Sequence, residues 1–168
     1  AVVVGLTDGT LTKAIAAQSQ LNVTAFDDDL ERINKLRKEF SVDGLHGTRI
    51  TLIHLPDLQT IPLTSSVGNL ACTERDTLPC APAELTRLTR ANGGRTALPD
   101  GAMTSRPPLP GAGEWTHQYG PPSNTAYTGE RLGGSQASKD LELQWIGRPG
   151  GNFGIDRQPR MSAPLAVN

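Results

Sequence analysis

The sequence predicts an α/β fold with a parallel sheet over residues 1–98 of a 168-residue chain. Short apolar runs without alternation recur in this part, and such runs are typical of strands that are covered on both faces. Most of them are followed by a segment with apolar residues at helical spacing. Strands that alternate with short helices favour a parallel sheet with right-handed crossovers.

The first predicted unit is a strand, a glycine turn and a helix. Residues 1–4 form a β-branched apolar run that ends at Gly5. The turn continues through Gly9, and the apolar spacing from Leu11 onward predicts a helix. A second short strand is predicted over residues 22–26, so the unit continues as βαβ.

A longer helix is predicted after the second strand. Asp29 is the predicted N-cap, and the positive end of the helix dipole stabilises acidic residues at this position. Leu30, Ile33, Leu36 and Phe40 form one apolar stripe. The helix should therefore cover one face of the sheet.

The remaining predicted elements follow the same alternation. A third strand is expected over residues 49–54, a fourth over residues 67–72, and a helix over residues 83–90. The Asn-Gly-Gly sequence at residues 92–94 is a signal for the end of that helix.

The strongest functional signal combines the glycine turn with the end of the second strand. Gly5 and Gly9 carry no side chain that would keep a ligand from the backbone. Asp27 follows the second strand, where a carboxylate can accept hydrogen bonds from both hydroxyls of a ribose. In open parallel sheets, ligands bind beyond the carboxyl ends of the strands. The pattern therefore predicts a nucleoside-containing ligand.

Four segments resemble motifs of class I S-adenosylmethionine-dependent methyltransferases. Residues 4–12, Val-Gly-Leu-Thr-Asp-Gly-Thr-Leu-Thr, resemble motif I of that family, and Phe26 with Asp27 resembles its second-strand acidic motif. Asp57 stands where the family has an acid beside the adenine, and residues 92–94 are similar to its turn before the fifth strand. The resemblance covers residues 1–98 and implies a Rossmann-like parallel sheet that binds S-adenosylmethionine.

The resemblance implies a cofactor-binding set of Gly5, Thr7, Gly9, Asp27 and Asp57. Thr7 replaces the central glycine of the motif. The segment after the fourth strand does not resemble the Asn/Asp-Pro-Pro-Tyr motif of amino-methylating members, and no catalytic residue is assigned. Two alternatives stay open: a non-enzymatic scaffold or interaction module that has lost its ligand, and an NAD-dependent oxidoreductase.

The second half of the chain is rich in proline and glycine and has no helical periodicity. Residues 99–114 are expected to form a linker. Residues 115–168, with Trp115 and Trp145, resemble the entry into a quinoprotein-like (pyrroloquinoline-quinone, PQQ-type) β-propeller of multidomain bacterial envelope proteins. The segment is too short for a complete blade, so PQQ binding is not inferred from it, and a long linker is the alternative.

Composition narrows the classes of partner. The net charge of −1 gives no electrostatic footprint for nucleic acid. No apolar run is long enough to span a membrane, and the cysteines and histidines have no metal-ligand spacing. A small-molecule cofactor and the remainder of a propeller are the expected partners. Because the chain begins inside an apolar run, we expect a fragment. The propeller resemblance suggests the periplasm or envelope, and an active methyltransferase would suggest the cytoplasm.

Overall fold

The computed structural model describes residues 1–114, 116–117, 121–123, 125 and 127–131. These residues contain nine helices and strands, in chain order β1 (Val2–Val4), α1 (Thr10–Gln18), β2 (Val23–Asp27), α2 (Leu30–Val42), β3 (Ile50–His54), β4 (Leu70–Cys72), α3 (Pro82–Leu88), β5 (Arg95–Ala97) and β6 (Met103–Ser105). The predicted α/β class is confirmed.

One six-stranded sheet contains all the described strands in the order β3-β2-β1-β4-β5-β6. The pairs from β3 to β5 are parallel, and β6 runs antiparallel to β5. The chain order reverses at β1, which lies between β2 and β4. The carboxyl ends of these three strands therefore meet at the topological switch point, where ligands bind in such sheets.

The sheet is covered by apolar residues on both faces, as the unbroken apolar runs predict. In β1, Val3 packs into the cluster formed with α1 and α2, whereas Val2 and Val4 pack into the cluster formed with α3. This division follows from the strand period of two, which points successive side chains to opposite faces. The buried core thus holds β1 and its turn in place.

Helix α2 begins as predicted, with the Asp29 side chain accepting a hydrogen bond from the backbone N of Arg32 at 3.0 Å. Ile33, Leu36 and Phe40 are buried. Leu30 differs from the prediction, because it is 49% exposed. As the first residue of the helix, it precedes the turns that lie against the sheet.

The first compact unit runs from Ala1 to Pro107 and extends beyond the predicted boundary at residue 98. Residues 103–105 of the predicted linker form β6, which pairs with β5. The Arg106 side chain adds to this attachment by donating to the carbonyl oxygen of Thr89 and, at 2.9 Å, to Oγ of Ser66.

The second compact unit spans Pro108–Asn168. The described residues at its start are mainly exposed and lie in turns or in segments without regular secondary structure. Most of the predicted propeller entry at residues 115–168, including both tryptophans, lies outside the described residues.

Across the part of the chain that the structure describes, every helix is too short or too polar to cross a membrane.

Candidate functional site

The glycine turn between β1 and α1 forms one wall of the candidate site. Gly5 and Gly9 have φ angles of +82° and +77°, a region that residues with a side chain adopt only with strain. The backbone N of Gly5 donates to the carbonyl oxygen of Phe26 at 2.8 Å, so the turn is anchored to the end of β2. Gly9 directly precedes α1, whose first backbone N–H groups point toward the turn.

Asp27 lies at the end of β2, and its side chain is completely buried. One carboxylate oxygen accepts from the backbone N of Leu6 in the glycine turn at 2.6 Å. The other accepts from the backbone N of Asp29 at 2.9 Å and from Nη1 of Arg32 at 2.7 Å. Burial of a carboxylate requires such compensation. Asp27 therefore ties the turn, β2 and the start of α2 together.

Arg75 lies over this acidic cluster from the loop that follows β4. Its Nη2 donates to Oδ2 of Asp27 at 2.9 Å and also to Oδ1 of Asp28. Its stem approaches Gly5 so closely that a Cβ atom on Gly5 would lie 2.9 Å from the Cδ of Arg75. The arginine stem thus occupies the space that the glycine leaves open.

Glu74 fills the other part of the turn. Its Oε2 accepts from the backbone N of Thr7 at 2.9 Å and from that of Gly9 at 3.0 Å. Its Oε1 accepts from both the backbone N and the hydroxyl of Thr12 at 2.7 Å. A carboxylate at the first turn of a helix is favoured by the unpaired N–H groups and by the helix dipole.

These contacts change the acidity of the neighbouring groups. The hydrogen bond from Arg75 is the main cause that holds the pKa of Asp28 below its usual value. Burial, with a smaller contribution from the negative charge of Glu74, raises the pKa of Cys72 to about 11. The Cys72 thiol is therefore neutral at ordinary pH and is a poor nucleophile there.

An open cleft of about 520 Å³ lies beside Glu74 at the carboxyl ends of β4 and β5. Leu11 and Ala14 of α1 line one side, and Ala97 and Leu98 line the other. Its size falls within the range of small-molecule sites. The cleft combines an apolar wall with the polar edge formed by Thr73, Glu74 and Arg75. Within the described residues, no group of His, Cys, Asp and Glu could hold a metal ion.

The predicted site residues are only partly brought together. Gly5, Thr7, Gly9 and Asp27 surround one edge of the sheet. Thr7 is exposed, and its hydroxyl lies 3.4 Å from Oε2 of Glu74. Asp57 lies in the loop after β3, where it is exposed and caps its own turn by accepting from the backbone N of Gln59 at 2.9 Å.

Sequence reasoning missed three residues of the site: Thr12, Glu74 and Arg75. Glu74 and Arg75 lie two and three residues after the fourth strand, which ends at Cys72, at the sheet edge where Asp27 also lies. Charged residues at that position could have indicated a place in the site, because the carboxyl ends of parallel strands share one edge. Their partners could not be read from the sequence, since Glu74 and Thr12 are far apart along the chain.

No protein-family model matches the chain, and no curated protein sequence matches it significantly. Solved structures do resemble it. A candidate S-adenosyl-L-methionine-dependent methyltransferase from Methanococcus maripaludis shares 23% identity with a TM-score of 0.50, and the match covers 58% of this chain and 45% of that one.

Two further structures align with the same share of this chain. A methyltransferase from Aquifex aeolicus that depends on S-adenosylmethionine shares 16% identity over 54% of its own length, with a TM-score of 0.47. A geranyl diphosphate methyltransferase, solved in complex with S-adenosylmethionine, shares 12% identity over 40% of its length, with a TM-score of 0.48. The chain thus spans about half of the length of these proteins or less. At 23% identity, the similarity to the Methanococcus maripaludis structure shows a shared Rossmann-like α/β fold.

Proposed function

We propose that residues 1–107 form a methyltransferase-like domain that binds S-adenosylmethionine. The observation that carries the proposal is the position of Asp27. Its carboxylate stands at the carboxyl end of β2, beside the switch point, and is joined to the glycine turn by the 2.6 Å hydrogen bond from Leu6. A carboxylate held there can accept hydrogen bonds from a ribose.

The donors around the turn also suit the other end of this cofactor. S-adenosylmethionine carries a methionine carboxylate as well as a ribose. The backbone N–H groups of Thr7, Gly9 and Thr12 already bind a carboxylate in this structure, that of Glu74. The residues present therefore fit the chemical groups of the cofactor, provided that Glu74 and Arg75 move aside. Bound S-adenosylmethionine would supply an electrophilic methyl group, and this chain's turn and Asp27 would orient it.

The test is a calorimetric titration of the folded chain with S-adenosylhomocysteine, the product of methyl transfer. We expect saturable binding that Asp27→Asn weakens about tenfold or more, which corresponds to about 1.4 kcal/mol. The substitution turns an acceptor into a donor where the ribose must be bound. The control is Asp100→Asn, because Asp100 is exposed and caps a turn through the backbone N of Ala102 at 2.9 Å. Equal binding by wild type and Asp27→Asn would contradict the proposed ribose contact.

The second candidate function is a non-enzymatic scaffold or interaction module. The observation that favours it is the occupation of the turn and of Asp27 by the chain's own Glu74 and Arg75. It predicts that the folded chain binds no S-adenosylmethionine or S-adenosylhomocysteine at millimolar concentration. Binding of NAD instead of either compound would favour the oxidoreductase alternative.

We also propose that residues 115–168 begin a PQQ-type propeller joined to this domain. The order of a methyltransferase-like domain, a Glu-Trp-Thr-His segment and a Leu-Gln-Trp segment supports the proposal. The test is the sequence of the gene beyond Asn168, which should contain further repeats with the Leu-x-Trp pattern. Unrelated sequence there would favour a linker.

A further inference from the structure

Asp27 has no acceptor position left for a ribose in this structure. An ionised carboxylate offers roughly four acceptor positions. Four donors already use them: the backbone N atoms of Leu6 and Asp29, Nη1 of Arg32 and Nη2 of Arg75. The two backbone donors belong to the glycine turn and to the start of α2. A ribose can therefore reach Asp27 only if a guanidinium leaves, and Arg75 is the one that also covers Gly5.

The glycine turn is filled in the same way. Both oxygens of Glu74 are engaged, with contacts to the backbone N atoms of Thr7, Gly9 and Thr12 between 2.7 and 3.0 Å. These are the donors that an anionic ligand would need. Glu74 thus occupies the position that a ligand carboxylate would take.

The two blocking side chains are neighbours on one loop. Strand β4 ends at Cys72, and the backbone N of Arg75 is held by Oγ1 of Thr73 at 3.0 Å. The side chain of Arg75 is 24% exposed, so its ion pairs can exchange with solvent. The backbone of this loop is attached to the glycine turn, because the backbone N of Glu74 donates to the carbonyl oxygen of Gly5 at 3.0 Å. Each of the two side chains can therefore leave its position separately, by rotation about its own bonds.

We propose that Glu74 and Arg75 form an autoinhibitory pair that competes with the cofactor for the glycine turn and Asp27. The inference rests on the proposed function. The pair imitates two polar groups of the ligand: Glu74 replaces its carboxylate, and Arg75 replaces its ribose hydroxyls. The apparent affinity then equals the intrinsic affinity multiplied by the fraction of molecules in which the pair is displaced. A ligand with both groups displaces both residues, whereas adenosine needs only the position of Arg75.

The test compares Glu74→Gln and Arg75→Met with the wild-type chain in titrations with S-adenosylhomocysteine and with adenosine. We expect both variants to bind S-adenosylhomocysteine about tenfold more tightly or better. Glu74→Gln should improve adenosine binding much less, because adenosine has no carboxylate to place in the turn. Arg75→Met should improve the binding of both compounds.

Each variant has a matched control. Glu39→Gln removes an exposed carboxylate that pairs with Lys35 at 3.8 Å on α2. Arg90→Met removes an exposed arginine at the opposite edge of the sheet, where its backbone N bonds to the carbonyl oxygen of Gly68. Both controls should bind like the wild type. If Glu74→Gln does not fold by circular dichroism, Glu74→Asp, whose shorter side chain cannot span the turn, replaces it.

The outcomes separate this inference from the proposed function. Equal affinity of the wild type and of both variants would overturn the autoinhibitory pair and leave cofactor binding standing. Absence of binding in the wild type and in every folded variant would overturn cofactor binding, and the inference with it. Amide hydrogen exchange gives a readout without ligand: exchange at Thr7, Gly9 and Thr12 should accelerate in Glu74→Gln, and unchanged exchange would also overturn the inference.

Discussion

At the scale of single residues, charge compensation dominates the candidate site. The Asp27 side chain is completely buried and is stabilised by two arginines and two backbone donors. Removal of one partner from such a cluster leaves a buried charge partly uncompensated, which is more destabilising than the loss of a surface ion pair. The same contacts that stabilise the fold therefore also restrict access to Asp27.

The acidity of Asp28 provides a pH-dependent test of the Arg75 contact. Because the folded state holds the pKa of Asp28 below its ordinary value, this contribution to stability is fully present above that ordinary value. It is lost as the pH falls through the depressed pKa of the folded state. In Arg75→Met we expect the pKa of Asp28 to rise, since its main cause of depression is removed. Carboxyl chemical shifts followed by NMR titration measure this, and an unchanged Asp28 pKa would contradict the contact.

At the scale of elements, the packing of α2 against the turn explains why position 9 is a glycine. A Cβ on Gly9 would lie 2.7 Å from Cζ of Phe40 and 3.0 Å from Cδ2 of Leu36. Gly47 has a similar φ of +79°, but open space surrounds it. A comparison of substitutions at Gly9 and Gly47 therefore distinguishes the cost of backbone strain from the cost of steric overlap.

We expect Gly9→Ala to lower the free energy of unfolding by about 3 kcal/mol, because left-handed strain and overpacking add. Gly47→Ala should lower it by about 1 kcal/mol, from backbone strain alone. Urea unfolding followed by circular dichroism measures both values. Equal losses for the two substitutions would show that Phe40 and Leu36 do not restrict the turn.

At the scale of the whole molecule, the boundary of the first compact unit depends on residues beyond the predicted α/β segment at residues 1–98. The segment after residue 98 returns along β5. The backbone N of Arg106 donates to the carbonyl oxygen of Gly94 at 2.8 Å, and the backbone N of Gly93 donates to the carbonyl oxygen of Arg106 at 3.0 Å. Together with β6, these bonds cover an edge strand that would otherwise present unpaired backbone groups.

A chain that ends at Pro107 should therefore unfold cooperatively with a midpoint close to that of the full chain's first unit. A chain that ends at Leu98 should be less stable by roughly 3 kcal/mol, because it loses several hydrogen bonds worth about 1 kcal/mol each. Thermal unfolding of the two truncated chains measures the difference. Identical midpoints would mean that β6 adds nothing to the fold.

The sequence alone determined the α/β class, the positions of four strands and three helices, and the meeting of the glycine turn with Asp27. These features follow from local apolar periodicity, from caps and from the rule that parallel strands share one carboxyl edge. The ends of two elements differ from the prediction: the fourth strand begins at Leu70 instead of Val67, and Leu30 at the start of α2 is exposed. Local patterns specify the face of an element better than its last residue.

Only the tertiary structure decided what fills the site. The contacts of Glu74 with the turn and of Arg75 with Asp27 join residues that are separated by 48 to 67 positions along the chain. The periodicity of the sequence cannot predict such pairs, because hydrogen bonds between a side chain and a distant turn depend on the register of β1 against β4. The addition of β6 was likewise hidden, since its three residues are all exposed and carry no apolar pattern. Long-range geometry therefore determines whether the motif is open to a ligand.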